Sequence, residues 1–175
     1  MNKFNYIRRI AKNGPLGPSI VFATVLVISM GLNSQSFASE SAETLQDIEM
    51  TVYKAENCGC CSKWVEHLEE NGFEVDVRTI TDTASVKKRI GVPRHLGSCH
   101  TAVVGDYWVE GHVPADLIHK LLREQPKDIE GIATPGMPLG SPGMESPNPQ
   151  HYEIVSFDSE GNVEVYATRM GETDQ

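Results

Sequence analysis

From residue 49 onward, apolar and polar positions fall into short runs of period 2 or 3.6. Residues 49–55 set Met50, Val52 and Ala55 against polar neighbours, which predicts a strand. A cysteine-rich turn, Cys58-Gly59-Cys60-Cys61, comes next. Then Cys61, Trp64, Val65 and Leu68 recur at helical spacing until Asn71-Gly72, where a residue able to take positive φ stops the helix. Residues 73–79 alternate as a second strand. Residues 83–90 read as a short helix anchored by Val86 and Ile90 and ended by Gly91 and Pro93. Residues 101–104 and 107–110 flank Gly105-Asp106, a turn-forming pair in hairpin position. Pro114 then opens a helix whose apolar face is Leu117, Ile118, Leu121 and Leu122. Residues 131–149, rich in Pro and Gly, read as a stiff loop without regular structure. Residues 152–157 and 163–168 form a closing hairpin around Asp158-Ser159-Glu160-Gly161.

The order is strand, cysteine turn, helix, strand, helix, hairpin, helix, added hairpin. That is the thioredoxin-like arrangement, an α/β fold with a central mixed sheet flanked by helices. It spans residues 49–170, with a C-terminal Pro/Gly/Met loop and the added hairpin. Ahead of it the pattern changes. Lys3, Arg8, Arg9 and Lys12 precede an apolar run over residues 20–32 and the small-x-small exit Ser36-Phe37-Ala38. This reads as a secretory signal peptide over residues 1–38, followed by a flexible leader over 39–48. The apolar run is shorter than the roughly 20 residues that span a bilayer. Export without stable membrane insertion is therefore expected.

Removing residues 1–38 leaves 11 Lys and Arg against 24 Asp and Glu. So much negative charge argues against nucleic acid or an anionic membrane surface as partner, and suits a protein that gathers cations. The chain carries no phosphate-cradling glycine loop, no H-E-x-x-H and no serine-nucleophile elbow.

Its chemistry lies in four cysteines, Cys58, Cys60, Cys61 and Cys99, all in the exported part. Three of them crowd into four residues, and the tiny loop they would close makes a poor staple. A Cys58–Cys61 structural disulfide, with Cys60 buried as a small hydrophobe, is the plain alternative. A turn that runs into a helix points free N–H groups at the sulfurs and favours thiolate, both nucleophile and metal ligand. Cys58 and Cys61 thus serve either as metal ligands or as a redox dithiol. In a thioredoxin-like fold the loop before the third strand packs on the dithiol, so Cys99 is expected to meet the turn. His100 stands where thioredoxins place proline, as ligand, neighbour of one, or hydrogen-bonded core histidine. Adjacent Cys60 and Cys61 do not easily share one tetrahedral ion but can bridge neighbouring ions, which makes zinc the weaker reading. Thiolates with thioethers nearby select Cu(I). Met137 and Met144, each in a Pro-Gly-Met unit, either supply those thioethers or fill gaps in the core. His112 points toward the cysteines or is solvated, and His67 and His119, off the apolar helix faces, are expected to be exposed.

Tyr53-Lys54 through Cys58-Gly59-Cys60-Cys61 with Lys63-Trp64-Val65, Ser98-Cys99-His100-Thr101-Ala102, Val109-Glu110-Gly111-His112-Val113-Pro114 and the run from Gly136 through Glu145 together resemble the CopG-like proteins, long listed as a domain of unknown function. The resemblance implies a thioredoxin-like fold, a periplasmic location and a role in copper resistance. It carries a bridged Cu(I) cluster onto Cys58, Cys60, Cys61 and Cys99. It also implies metal ions as partners, together with a copper export system or periplasmic metallochaperone, and a copper redox role. A thiol oxidoreductase using Cys58 and Cys61 is the competing function.

Overall fold

The structure, a computed structural model, describes residues 48–173. The expected signal peptide, residues 1–38, and all but the last residue of the expected leader lie outside the described residues. Seven strands and three helices follow one another as β1 (Ile48–Lys54), α1 (Gly59–Glu70), β2 (Phe73–Thr79), α2 (Thr83–Ile90), β3 (His100–Val104), β4 (Tyr107–Glu110), α3 (Ala115–Glu124), β5 (Gly131–Ala133), β6 (His151–Phe157) and β7 (Val163–Met170). A short 3-10 turn, Arg94–Leu96, precedes β3. All seven strands join one mixed sheet in the order β2-β1-β3-β4-β5-β6-β7. Among the described residues no helix is long and apolar enough to cross a membrane.

The helical periodicity places α1 well: its buried residues are Cys61, Trp64, Val65 and Leu68. In α3, Ala115, Leu117, Ile118 and Leu121 are buried. These faces cover one side of the sheet, packing with Met50, Val52, Ala102, Val104 and Ile132. Alternation sends the next residues to the other side, where Ala133, Val155 and Phe157 pack with Val92 and Leu96.

The Pro/Gly-rich segment needs a correction. Its first three residues are strand β5, parallel to β4 and antiparallel to β6. The C-terminal hairpin is therefore continuous with the main sheet. Gly131 is required there, because a Cβ would lie 2.1 Å from the Trp108 carbonyl oxygen. The rest of the segment runs as a loop tied by backbone hydrogen bonds to the chain end, with Gly140 N–H donating to the Met144 carbonyl and Glu172 N–H donating to the Gly140 carbonyl, both at 2.7 Å.

Candidate metal centre

Strand register gathers the site at one end of the sheet. The last residue of β1, Lys54, pairs with the first of β3, His100. The cysteine turn that follows β1 and Cys99 that precedes β3 are therefore neighbours, although 39 residues separate Cys60 from Cys99. Glu110 at the end of β4 pairs with Thr101 and, on its other side, with Ala133 at the end of β5. Gly111-His112 and the Pro/Gly/Met loop thus leave the sheet at the same end.

The sulfurs form a connected row. Cys60 Sγ lies 3.6 Å from Cys58 Sγ and 3.9 Å from Cys99 Sγ. Cys58 and Cys61 are joined as a disulfide, while Cys60 and Cys99 are free thiols. The sequence weighed against a disulfide in this turn, and the structure has one. The other half of that alternative does not hold, since Cys60 is half-buried and faces Cys99. Cys58 is the N-cap of α1 and makes no side-chain capping bond, which leaves the helix start to the sulfurs. Ligand atoms of Cys58, Cys60, Cys61 and Cys99 all lie within 4.8 Å of one another.

A second group, Cys99, His100 and His112, meets the same limit. Both rings are fully buried. His100 Nε2 is 2.9 Å from the Gly111 carbonyl, and His112 Nδ1 is 2.8 Å from the Pro142 carbonyl. A carbonyl only accepts, so the nitrogen facing it carries the proton. In each neutral ring the bare nitrogen is then the other one: His100 Nδ1 at 3.3 Å and His112 Nε2 at 3.5 Å from Cys99 Sγ. Two lone pairs face one sulfur. Burial, reinforced by the neighbouring His112, pushes His100 down to about 3. Burial also lowers His112, so both rings stay neutral near pH 7. Burial, together with the adjacent Cys60, raises the Cys99 thiol, and the Ser98 hydroxyl acts against it.

His112 was open to a solvated reading, which its burial corrects. Its placement depends on Gly111, where φ is 72° and a Cβ would meet the Thr134 carbonyl oxygen at 2.7 Å. His67 and His119 are also not free on the surface. His67 Nε2 accepts the Ala115 N–H at the start of α3 (3.1 Å), and the His119 ring packs on Phe73. Trp64, on the buried face of α1, lies with its ring 4.3 Å from the His100 ring and donates to the Val113 carbonyl at 2.9 Å.

The two methionines part company. Met137 lines an open depression of about 600 Å³ with Cys58, Cys60 and Cys99, and it is 54% exposed. The Ser98 hydroxyl donates to the Gly136 carbonyl at 3.3 Å and ties this part of the loop beside Cys99. Met144 is half-buried and does not line the depression. Next to it, Gly143 (φ 81°) sits so close to α1 that a Cβ would lie 2.7 Å from the Cys60 carbonyl oxygen. The loop therefore roofs the helix start.

One pair was not foreseen. Lys87 of α2 is buried and bonds Glu110 Oε1 at 2.5 Å and the His100 carbonyl at 2.9 Å. Period-3.6 reading marks Val86 and Ile90 as anchors and leaves Lys87 polar. Its partner stands 23 positions away, and a lone glutamate closing a strand carries no local signal of burial.

Residues 96–144 match a family described as a protein of unknown function, DUF411. A comparison with curated proteins gave no match. Two solved structures are similar over nearly their whole length. One, described as copper resistance protein CopG, form 2, is 45% identical with a TM-score of 0.67, over 71% of this chain and 99% of that one. The other, CopG form 1, is 44% identical with a TM-score of 0.67, over 72% of this chain and 100% of that one. With identity that high over nearly the whole of both structures, the chain belongs to the CopG copper-resistance family.

Proposed function

We infer that the reduced chain holds Cu(I) on Cys58, Cys60, Cys61 and Cys99, as a thiolate-bridged cluster that serves copper resistance. The observation that carries this is the 3.9 Å approach of Cys99 Sγ to Cys60 Sγ, which closes a single thiolate nest from two distant segments. Thiolate sulfur is the donor that selects Cu(I), and adjacent Cys60 and Cys61 suit bridging between ions better than sharing one tetrahedral zinc. Met137 supplies a thioether at the open side, and the bare nitrogens of His100 and His112 lie behind Cys99 as further donors or as its hydrogen-bond acceptors. Met144 acts by shaping the roof. Full occupancy first requires the Cys58–Cys61 disulfide to take up two electrons and two protons, giving two thiols that lose their protons when they bind metal. The order β2-β1-β3-β4, with its parallel β1–β2 pair, supports a thioredoxin-like core. Residues 1–38 support export to the periplasm, where a metallochaperone or copper export system would receive the metal.

The disulfide favours a second reading, a copper or thiol oxidoreductase. Two Cu(I) ions each give one electron to Cys58–Cys61, yielding two Cu(II) ions and two thiolates; the reverse reaction reduces Cu(II). Anaerobic titration of the reduced chain with Cu(I) against a competing chelator tests the first reading: several ions per chain are expected, and a single ion overturns the bridged cluster. Insulin reduction by the metal-free dithiol separates the thiol oxidoreductase, which works without metal, from the copper-holding protein, which does not.

A further inference from the structure

Cys99 is the one sulfur of the nest that does not belong to the α1 turn, and something must hold it there. It lies in the link between the 3-10 turn and β3, where no strand pairing reaches it: the ladder begins at His100. The buried pair beneath this link grips it on both sides. Glu110 Oε1 accepts the Ser98 N–H at 2.5 Å, one residue before Cys99. Lys87 Nζ donates to the His100 carbonyl at 2.9 Å, one residue after it, and to the same Glu110 oxygen at 2.5 Å. Glu110 side-chain exposure is 0% and that of Lys87 is 11%. Desolvating two charges is costly, and their attraction offsets the cost only with good geometry and further hydrogen bonds. Here both of the further bonds go to the backbone flanking a single cysteine.

We propose that Lys87 and Glu110 are positioning residues for the metal centre, a clamp from α2 and β4 that sets the Cys99 sulfur against Cys60. This rests on the copper reading but adds residues that touch no sulfur. Outer partners of this kind tune metal sites through the orientation of the ligands. The pair also explains why β4 ends in an acidic residue facing away from the α1–α3 core: Val109 takes that side, and alternation turns Glu110 toward α2.

The test uses the neutral double variant Lys87→Met/Glu110→Leu, which removes both grips on the link, stays close in volume and carries no stranded charge. In the oxidised chain only Cys60 and Cys99 are free, so cross-linking by dibromobimane, fluorescent only when it joins two nearby thiols, reports their approach without copper. The folded double variant, checked by circular dichroism, is expected to cross-link more slowly than wild type. Once reduced, it should bind Cu(I) ~10–100-fold more weakly, the usual loss for an outer partner of a metal ligand. The potential of the Cys58–Cys61 couple should stay unchanged, which a general loosening of the fold would not allow. Wild-type cross-linking and wild-type affinity in the folded double variant overturn the clamp, as does slower cross-linking with copper affinity unchanged. If the wild-type chain itself holds no Cu(I), the copper reading fails, while the cross-linking rates still decide whether the pair sets Cys99.

Discussion

At the scale of single residues, Cys99 is the point on which the site turns. It receives Cys60 on one side and two imidazole nitrogens on the other. Cys99→Ser exchanges sulfur for a harder, shorter donor that does not bridge Cu(I). Cu(I) affinity of the reduced variant should drop by more than ~100-fold, beyond the usual cost of losing an outer partner. The Cys58–Cys61 disulfide should still form, as a free-thiol count would show. Retention of wild-type affinity would mean that the α1 turn alone holds the metal. The gathering of the four sulfurs was legible because α/β topology, not fine packing, places Cys99: β1 and β3 are antiparallel neighbours, so the residue after one lies beside the residue before the other. The role of His112 was not legible. Its orientation depends on a positive φ at Gly111 and on a carbonyl at Pro142, contributed by a loop 30 residues on.

At the scale of elements, periodicity found the three α-helices among the described residues because each has a one-sided apolar face. Strand β5 escaped for an equally physical reason. Gly131-Ile132-Ala133 is too short to alternate and sits in Pro/Gly-rich sequence, and it is a strand only because β4 and β6 pair with it. Helix termini carry a further contact that pattern reading missed, the bond from Ala115 N–H at the start of α3 to His67 on α1. Pro114, the N-cap of α3, offers no side-chain acceptor, so this imidazole takes the place of a capping oxygen. His67→Leu should cost about 1 kcal/mol near pH 8, the usual price of a lost cap. The cap works only while the ring is neutral. Burial lowers the His67 pKa from its ordinary value of 6.5, despite opposing carboxylates. The folded state therefore binds fewer protons than the unfolded state over the window between the two pKa values, and stability falls as pH drops below about 6.5. His100 and His112 add slope of the same sign, so the informative quantity is the difference between wild type and His67→Leu in urea unfolding at several pH values. That difference should shrink on acidification; a constant gap would show that His67 acts by packing alone.

At the scale of the whole molecule, the disulfide and the proposed Cu(I) site would draw on the same sulfurs, and this sets an expected order of stabilities. Cys58–Cys61 closes a loop of sequence separation 3. So small a loop removes little entropy from the unfolded chain, about 2 kcal/mol at most in the loop-closure account. A ligand that binds only the folded state stabilises it by mass action, about 4 kcal/mol at a free concentration 1,000 times its Kd. Without metal, the oxidised chain should therefore melt above the reduced one. With Cu(I) in excess the order should invert, because the reduced chain offers four thiolates and the oxidised chain only Cys60 and Cys99. The acidic balance of residues 39–175, 11 Lys and Arg against 24 Asp and Glu, strengthens the cation side of this competition without choosing the metal. Anaerobic thermal melts of the two redox forms, each with and without Cu(I), read the four temperatures directly. An equal rise in both forms would place the metal away from Cys58 and Cys61. A rise confined to the reduced form would tie occupancy to the redox state of that pair, so that reduction of one bond would switch the chain from a stapled fold to a metal-held one.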